Sequence, residues 1–279
     1  MQKVIGFQGI HGANSENAIF QHFGQDNIET YPCSDLDALF KAIHNEEITS
    51  ALVPVENAFA GAVNGAYELL MDYDLRIQAE VIHHVHHALV ALPGTSIDDL
   101  THVRSHPQAL AQCERFLLRQ GLTPVTWYDT AGAAKDLAAE QTPNVGALSS
   151  TRAAEIYKLD VLAESVEDVT FNFTRFFLLG HTDPVLSDYN KTSLVFATRH
   201  HPGALYECLG TFAEQGLNLT KLESRPRRNR PWEPVFHVDF EGHWQEPNVQ
   251  SALTALLQKA SFVKMLGSYP AAKNNSVGM

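Results

Sequence analysis

The strongest constraint on the fold is a regular alternation of short β-like runs and amphipathic helical patterns across residues 1–180. Apolar runs at 4–7, 51–55 and 145–148 are each followed by a stretch whose apolar residues recur with helical spacing. Alternation of this kind is typical of α/β domains with largely parallel sheets. Residues 191–270 follow a different order, βαββαβ, which predicts a ferredoxin-like domain.

The chain has 279 residues, enough for about two domains with sizeable cores. Turn-forming residues with weak periodicity at 182–190 predict a linker. We therefore assign 1–181 to a first domain, 191–270 to a second domain and 271–279 to a loose tail.

Charge and cysteine content narrow the class of protein. A net charge of −12 argues against a nucleic-acid-binding protein, and an anionic substrate would have to be held by a local site. The three cysteines are scattered, without the spacing of a metal site, and fit free thiols in a reducing compartment. The first residues enter a strand without a signal-peptide region, and no apolar run approaches the roughly 20 residues of a membrane span. We therefore expect a cytoplasmic protein.

The stretch 168–176, rich in aromatic and polar residues, is the main candidate for chemistry. Strand alternation puts Asn172 and Thr174 on one face and Arg175 on the other. Buried amides and hydroxyls need partners, because burying them without hydrogen bonds costs free energy. The stretch therefore predicts either a ligand site or a strand edge whose polar groups meet water or a nearby carboxylate.

Further polar segments follow predicted strands, each near a helix start. Gly9 and Gly12 precede Ser15 and indicate either a plain strand-to-helix turn or an anion site. Asn57 can bind a ligand carboxylate or hydroxyl, or it can stabilise its loop together with Glu56. The other segments are helix caps that can also contact a ligand, Asp129-Thr130 and Ser149-Ser150-Thr151. Together they predict a cleft for a small, multiply anionic molecule, without metal or nucleotide.

Histidines do not alter this interpretation. The group 83, 84, 86 and 87 has no acidic or cysteine partner at metal-ligand spacing, so we interpret these histidines as structural or surface residues. Ser105 and His106 are adjacent, and adjacent residues diverge, so they do not indicate a hydrolase triad.

An ordered set of motifs resembles prephenate dehydratase in its form with a C-terminal ACT regulatory domain. The resemblance covers nearly the whole chain, and it is the order of the motifs that makes it specific. The motifs are Gly9-x-x-Gly12-x-x-Ser15, Val53-Pro-Val-Glu-Asn57, Ser105-His-Pro-Gln-Ala-Leu-Ala-Gln-Cys113, Asp129-Thr-Ala-x-Ala-Ala134, Asn172-Phe-Thr-Arg-Phe176, Pro202-Gly-Ala-Leu205 and Glu223-Ser-Arg-Pro226.

The resemblance implies a catalytic region of two α/β lobes, similar to periplasmic binding proteins, with the active site between them. It implies the conversion of prephenate to phenylpyruvate, carbon dioxide and water, with no cofactor. Thr174 matches the catalytic threonine of the family and would assist departure of the ring hydroxyl. The expected substrate-binding residues are Ser15, Asn57, Thr130, Asn172 and Arg175, although alternation points Arg175 away from Thr174.

In the second domain the resemblance implies an ACT fold that binds phenylalanine as an inhibitor between subunits of a homodimer or homotetramer. The expected binding residues are Gly203, Ala204, Leu205, Glu223, Ser224, Arg225 and Pro226. A plain dimerisation domain is the alternative interpretation.

Two positions depart from the pattern of the family. Ala58 stands where Ser or Thr is common, and Asn14 stands where an aromatic residue is common. Either change can alter a substrate contact or shift the preference between prephenate and arogenate, its amino analogue. The alternatives are therefore an arogenate dehydratase, a related non-aromatising prephenate decarboxylase, or a catalytically silent amino-acid-binding sensor.

Overall fold

The computed structural model describes residues 3–63, 65–227 and 230–272, with the backbone alone for 230–232. Of the predicted tail, 271 and 272 are described, and 273–279 lie outside the described residues. No helix in the described part of the chain is long and apolar enough to cross a membrane.

The alternation of strands and helices predicted for the first part of the chain is present. The elements are β1 (Lys3–Gln8), α1 (Asn14–Phe23), β2 (Ile28–Cys33), α2 (Leu36–His44), β3 (Ser50–Asn57), β4 (Gly61–Ala62), α3 (Ala66–Asp72), β5 (Arg76–His84), β6 (Ala88–Ala91), β7 (His102–Ser105), α4 (Pro107–Gln112), α5 (Glu114–Arg119), β8 (Thr123–Thr126), α6 (Thr130–Glu140), β9 (Val145–Ser149), α7 (Thr151–Tyr157), β10 (Asp160–Ala163) and β11 (Phe173–Gly180).

These strands form two sheets, as the α/β prediction requires. The first has the order β2-β1-β3-β11-β5, with β4 beside β3, and the second has the order β10-β6-β9-β7-β8. β1 runs parallel to β2 and β3, and β7 runs parallel to β8 and β9. β6 is antiparallel to both β9 and β10.

Local sequence signals account for several helices. Asp35 caps α2 by accepting a hydrogen bond from the Ala38 N–H, and the predicted apolar face of α2 is buried. Pro107 occupies the first turn of α4, where its missing N–H has no helical partner to lose. Ser150 caps α7 by accepting from the Ala153 N–H.

The sequence predicts a helix at 62–71 and a long β-prone run at 77–92, and the structure differs from the prediction in both segments. The helix predicted at 62–71 begins only at Ala66, because Asn57 pairs with Gly61 in a short antiparallel ladder first. The run 77–92 is not one strand. It divides into β5 and β6, which belong to different sheets.

The remaining elements are β12 (Asn190–Thr198), α8 (Ala204–Glu214), β13 (Leu219–Arg227), β14 (Arg230–Glu241), α9 (Pro247–Lys259) and β15 (Ala260–Pro270). Their sheet order, β13-β14-β12-β15, together with the βαββαβ chain order, confirms the ferredoxin-like arrangement. Apolar side chains from β12, β14, α8 and α9 form its core, among them Phe196, Phe212, Phe240 and Leu256.

The chain divides into two compact units that do not follow chain order. The first unit contains the residues up to Ala66 and Val81–Phe176, and the second contains Tyr67–Glu80 and the residues from Phe177 onward. The domain limits drawn from the sequence stay predictions.

Candidate active site

A cavity of about 220 Å³ lies in the first unit, at the ends of strands and the starts of helices. Its lining residues are Asn14, Ser15, Pro54, Asn57, Val63, Val85, His87, His106, Gln108, Ala109, Gln112, Thr130, Asn172, Thr174 and Phe176. None of the described residues that line it is Asp, Glu, Lys or Arg. We therefore call this cavity the neutral chamber.

Asn57 is held in one orientation by the backbone of the loop that follows it. Its Oδ1 accepts hydrogen bonds from the N–H groups of Phe59, at 3.0 Å, and Ala60, at 2.9 Å. Because two backbone donors identify that atom as the oxygen, the Nδ2 group must lie on the other side. There Nδ2 donates to Asn172 Oδ1 and to Thr174 Oγ1, each at 3.0 Å.

The orientation of Asn57 determines the orientation of the next three side chains. Asn172 accepts on Oδ1, so its Nδ2 donates to Gln112 Oε1 at 3.0 Å. Gln112 Oε1 therefore also accepts from His87 Nε2, at 2.8 Å, which requires a proton on Nε2; in the neutral form of His87 this is the Nε2–H tautomer. Burial lowers the pKa of His87 and favours this neutral form, although the hydrogen bond to Gln112 and the nearby Glu167 oppose the shift.

The position of the Thr174 proton follows from this network. Thr174 Oγ1 accepts from Asn57, so its own O–H does not point at that amide. Among the described residues, Thr174 donates to no acceptor, and its side chain lines the neutral chamber. The hydroxyl can therefore donate a hydrogen bond to a ligand there.

A second cavity, of about 310 Å³, shares Asn14 and His87 with the neutral chamber. We call it the polar chamber, because Arg152 and Glu164 are among its lining residues. The full lining is Asn14, Asn17, His83, His84, His86, His87, Ala88, Ser150, Thr151, Arg152, Glu164 and Ser165.

Buried Glu16 stabilises the wall of the polar chamber. It accepts hydrogen bonds from the Gly12 N–H at 2.7 Å, from Thr30 Oγ1 at 2.8 Å and from Arg152 Nε at 3.1 Å. Burial alone would raise the pKa of Glu16, but these hydrogen bonds and one to His11 outweigh it and hold the pKa below its ordinary value. Glu16 is therefore an ionised structural anchor.

Five of the predicted site residues line the neutral chamber: Ser15, Asn57, Thr130, Asn172 and Thr174. Arg175 is not among the lining residues, and its Nη1 lies 3.8 Å from Glu56 Oε2, as its position on the opposite strand face leads us to expect. Asn14, which departs from the family pattern, lines both chambers. The N–H of Ala58, the other departure, donates to Phe173 O at 2.8 Å.

Sequence reasoning missed two members of the network. His87 was interpreted as structural or surface, but its side chain lines both chambers. Gln112 was noted only as part of a motif. Its spacing from Gln108, four residues along one helix, is a signal that both amides share a face. In the described residues no group of three or more His, Cys, Asp or Glu is placed to hold a metal ion.

The residues predicted to bind an effector lie in the second unit. Gly203 has φ of 84° just before α8, a left-handed conformation that favours glycine, and the buried Ala204 begins that helix. Leu205 is partly buried against the core. Residues 223–226 lie on β13, which is an edge strand.

Glu223 forms ion pairs within this strand. Its carboxylate lies 2.9 Å from Lys221 Nζ and 2.7 Å from Arg225 Nη2. Burial would raise the pKa of Glu223, but these two cations outweigh it and lower the pKa. Glu223 is therefore an anion at neutral pH.

Comparisons with known proteins indicate one enzyme family for most of the chain. The family model described as prephenate dehydratase matches residues 5–184. "Arogenate dehydratase/prephenate dehydratase 2, chloroplastic" from Arabidopsis thaliana is 40% identical over 278 residues, covering 95% of this chain and 72% of the relative. Arogenate dehydratase 2 from Petunia hybrida is 38% identical over 283 residues, covering 95% of this chain and 71% of the relative.

Two solved structures resemble the chain along nearly its full length. A prephenate dehydratase from Arthrobacter aurescens in complex with L-Phe has a TM-score of 0.89 and 29% identity, covering 99% of this chain and 92% of that one. GqqA, described as a novel type of quorum quenching acylases, has a TM-score of 0.90 and 34% identity, covering 97% of this chain and 98% of that one.

Proposed function

This chain belongs to the prephenate dehydratase family, a family of lyases, and we propose that it converts prephenate to phenylpyruvate, carbon dioxide and water. The observation that carries the proposal is the Thr174 hydroxyl, whose oxygen is held by Asn57 and whose hydrogen is left to donate into the neutral chamber. A hydrogen-bond donor at a leaving hydroxyl is what this elimination requires.

The reaction couples the departure of two groups from one ring. As the ring carboxylate leaves as carbon dioxide, its bonding electron pair moves into the ring and displaces the hydroxyl on the opposite carbon. The ring becomes aromatic, and the departing oxygen takes up one proton and leaves as water. Negative charge develops on that oxygen in the transition state, so a donor placed there binds the transition state more strongly than the substrate.

In this proposal Thr174 is the catalytic residue that contacts the departing hydroxyl. A threonine hydroxyl is a very weak acid, so it assists by a hydrogen bond that strengthens as charge develops. The Asn57 amide donates to the same oxygen, which polarises the O–H group and makes it a better donor. Positioned acid–base assistance of this kind is typically worth about 10²–10⁴-fold in rate.

The assignment of the other residues follows the lining of the neutral chamber. Ser15, Thr130 and Asn172 are proposed to contact the ring and its substituents. Arg175 stays a predicted binding residue. Its position near Glu56 supports a role in holding β3 to β11 rather than a direct substrate contact.

Regulation by phenylalanine forms the second part of the proposal. The ferredoxin-like domain is proposed to be an ACT domain, with Gly203–Leu205 and Glu223–Pro226 binding phenylalanine between subunits of a homo-oligomer. Support comes from the L-Phe complex of the similar Arthrobacter aurescens enzyme. Sedimentation and turnover, each measured with and without phenylalanine, test it. Identical results in both conditions would contradict it.

Arogenate is the alternative substrate, because several relatives carry arogenate dehydratase in their names. The test incubates purified protein with prephenate and, separately, with arogenate, and follows phenylpyruvate or phenylalanine. No turnover of either substrate would contradict the dehydratase proposal and favour the catalytically silent sensor. The cytoplasmic location stays a prediction.

The geometry of the site does not favour the acylase activity that is named for one of the similar structures. Acyl transfer to a threonine needs a base that removes its proton. In the described residues Thr174 Oγ1 receives a hydrogen bond from an amide, which is not a base. The site therefore favours the donation of a hydrogen bond over nucleophilic attack.

A further inference from the structure

The two chambers differ in charge, although they share Asn14 and His87. The neutral chamber contains Thr174, and its described lining includes no Asp, Glu, Lys or Arg. The polar chamber contains Arg152 and Glu164. A ligand that extends from one chamber into the other would therefore meet two different electrostatic environments.

Prephenate has two carboxylates with opposite requirements. The ring carboxylate loses its charge as carbon dioxide leaves, so a site without a cation does not stabilise the charged ground state. The side-chain carboxylate keeps its charge throughout and needs a cationic partner. Among the described lining residues of the two chambers, the one Arg or Lys is Arg152.

We propose that the polar chamber binds the retained end of the substrate, with Arg152 on the carboxylate and Glu164 as the residue that selects arogenate over prephenate. This proposal rests on the proposed dehydratase function. It places the ring and its leaving groups in the neutral chamber beside Thr174.

Arg152 is fixed in position from two sides. Its Nε donates to Glu16 Oε2 at 3.1 Å, and its guanidinium carbon lies 4.2 Å from the centre of the Phe20 ring. Its terminal nitrogens donate no hydrogen bond to any described residue, and its side chain is 27% exposed. Two parallel N–H groups are therefore available for bidentate binding of a carboxylate.

Glu164 supplies the charge that distinguishes the two substrates. Prephenate has a keto group beside the retained carboxylate, and arogenate has an ammonium group there. Glu164 is exposed and forms no ion pair with any described residue. An α-amino acid end requires a cation and an anion side by side, whereas an α-keto acid end requires the cation alone.

The substitution Glu164→Gln tests the selection. It removes the charge and keeps the size, so kcat/KM for arogenate is expected to fall about tenfold or more. For prephenate the same constant is expected to rise, because the dianion no longer meets a carboxylate. Glu29→Gln, a change at an exposed glutamate of β2 outside both linings, is the matched control for net charge. An arogenate-to-prephenate ratio that moves less than about tenfold overturns the assignment.

The same variant remains informative if the wild-type protein turns over prephenate alone. Arogenate is then measured as a competitive inhibitor, and its inhibition constant is expected to rise about tenfold in Glu164→Gln. Absence of competition in the wild type overturns the assignment of Glu164. Absence of turnover with both substrates contradicts the proposed function itself, which separates the two failures.

Arg152 is tested by a separate pair of variants. Arg152→Gln is expected to raise KM for prephenate about tenfold with a smaller change in kcat, and Arg152→Lys to recover part of the loss. Because Arg152 also anchors Glu16, thermal unfolding is measured on both variants. Equal KM values in wild type and in a folded Arg152→Gln variant overturn its role in binding.

Discussion

Two buried polar networks, one in each compact unit, differ in how they end. In the first unit, amide hydrogen bonds connect Asn57, Asn172 and Gln112, and the Thr174 hydroxyl, which donates to no described residue, lines a cavity. In the second unit, Ser193 Oγ contacts Asp239 Oδ1 at 2.5 Å and Tyr269 Oη at 2.6 Å. The first network ends at a space for a ligand, whereas the second consists of contacts among side chains of the sheet.

The difference separates polar groups that stabilise the fold from polar groups that are available to a ligand. Both networks contain buried members, with Asn172 at 3% exposure and Ser193 at 1%. Burial alone therefore does not identify a site. A buried network with one donor left over at a cavity does, because that donor has a partner only when a ligand is bound.

Removal of the Thr174 hydroxyl is expected to have the largest effect on turnover. Thr174→Ala should lower kcat by about 10²–10⁴-fold, with little change in unfolding temperature, because it removes the group that we propose to contact the departing hydroxyl. Thr174→Ser, which keeps the hydroxyl, is the matched control and should retain most of the turnover. Near-wild-type kcat in Thr174→Ala would remove the distinction between the two networks.

Removal of the residue that orients Thr174 is expected to have the next largest effect. Asn57→Ala should lower kcat by about 10²-fold, since Thr174 Oγ1 loses its donor and the amide orientations are no longer fixed. A double-mutant cycle with Thr174→Ala measures the coupling. In the Thr174→Ala background Asn57→Ala should have much less effect, and full additivity would show that Asn57 does not act through Thr174.

A change in the network of the second unit should lower the stability of the fold and leave turnover unchanged. Ser193→Ala removes the hydroxyl that contacts both Asp239 and Tyr269, and we expect a loss of about 1–3 kcal/mol in the free energy of unfolding. Denaturant unfolding measures the loss, and prephenate turnover at a temperature where the variant stays folded is its control. A selective loss of kcat with normal stability would contradict the structural role.

The sequence predicts best those features that depend on neighbours along the chain. Asp35 as a helix cap, Pro107 in a first turn and the βαββαβ order all follow from local chemistry or periodicity. Alternation also places Asn172 and Thr174 together in the cavity lining and Arg175 outside it. The shared face of Asn172 and Thr174 therefore required no tertiary information, although β11 begins only at Phe173 and residues 168–172 precede it.

Features that depend on distant partners were not predictable in this way. The contact between His87 and Gln112 joins residues 25 apart, and no periodicity encodes it. The division of residues 77–92 into β5 and β6 also depends on partners that are distant in the sequence. The Val85 N–H donates to Asn172 O and the His87 N–H to Glu167 Oε2, so this segment pairs with a distant loop instead of continuing as a strand.

The smallest expected effect concerns pH and a second buried histidine, His237 of the second unit. Burial lowers its pKa to about 4 from an ordinary value of 6.5. The described groups around it are the Tyr67 ring, with Glu223 and Asp239 raising the pKa and Arg225 and Lys221 lowering it. The unfolded chain binds a proton at this histidine below about pH 6.5 and the folded chain does not, so stability is lost as the pH falls towards 4.

His237→Gln should therefore reduce the fall in unfolding temperature between pH 7 and pH 5 by a few degrees, about what 1–2 kcal/mol produces. His200→Gln, at an exposed histidine of the same unit, is the control and should leave the fall unchanged. Burial also lowers the pKa of His83 to about 4, so the unfolding temperature of the His237→Gln variant should still fall between pH 7 and pH 5. An identical fall in wild type and His237→Gln would mean that His237 takes up its proton without unfolding, and would contradict the linkage of its burial to stability.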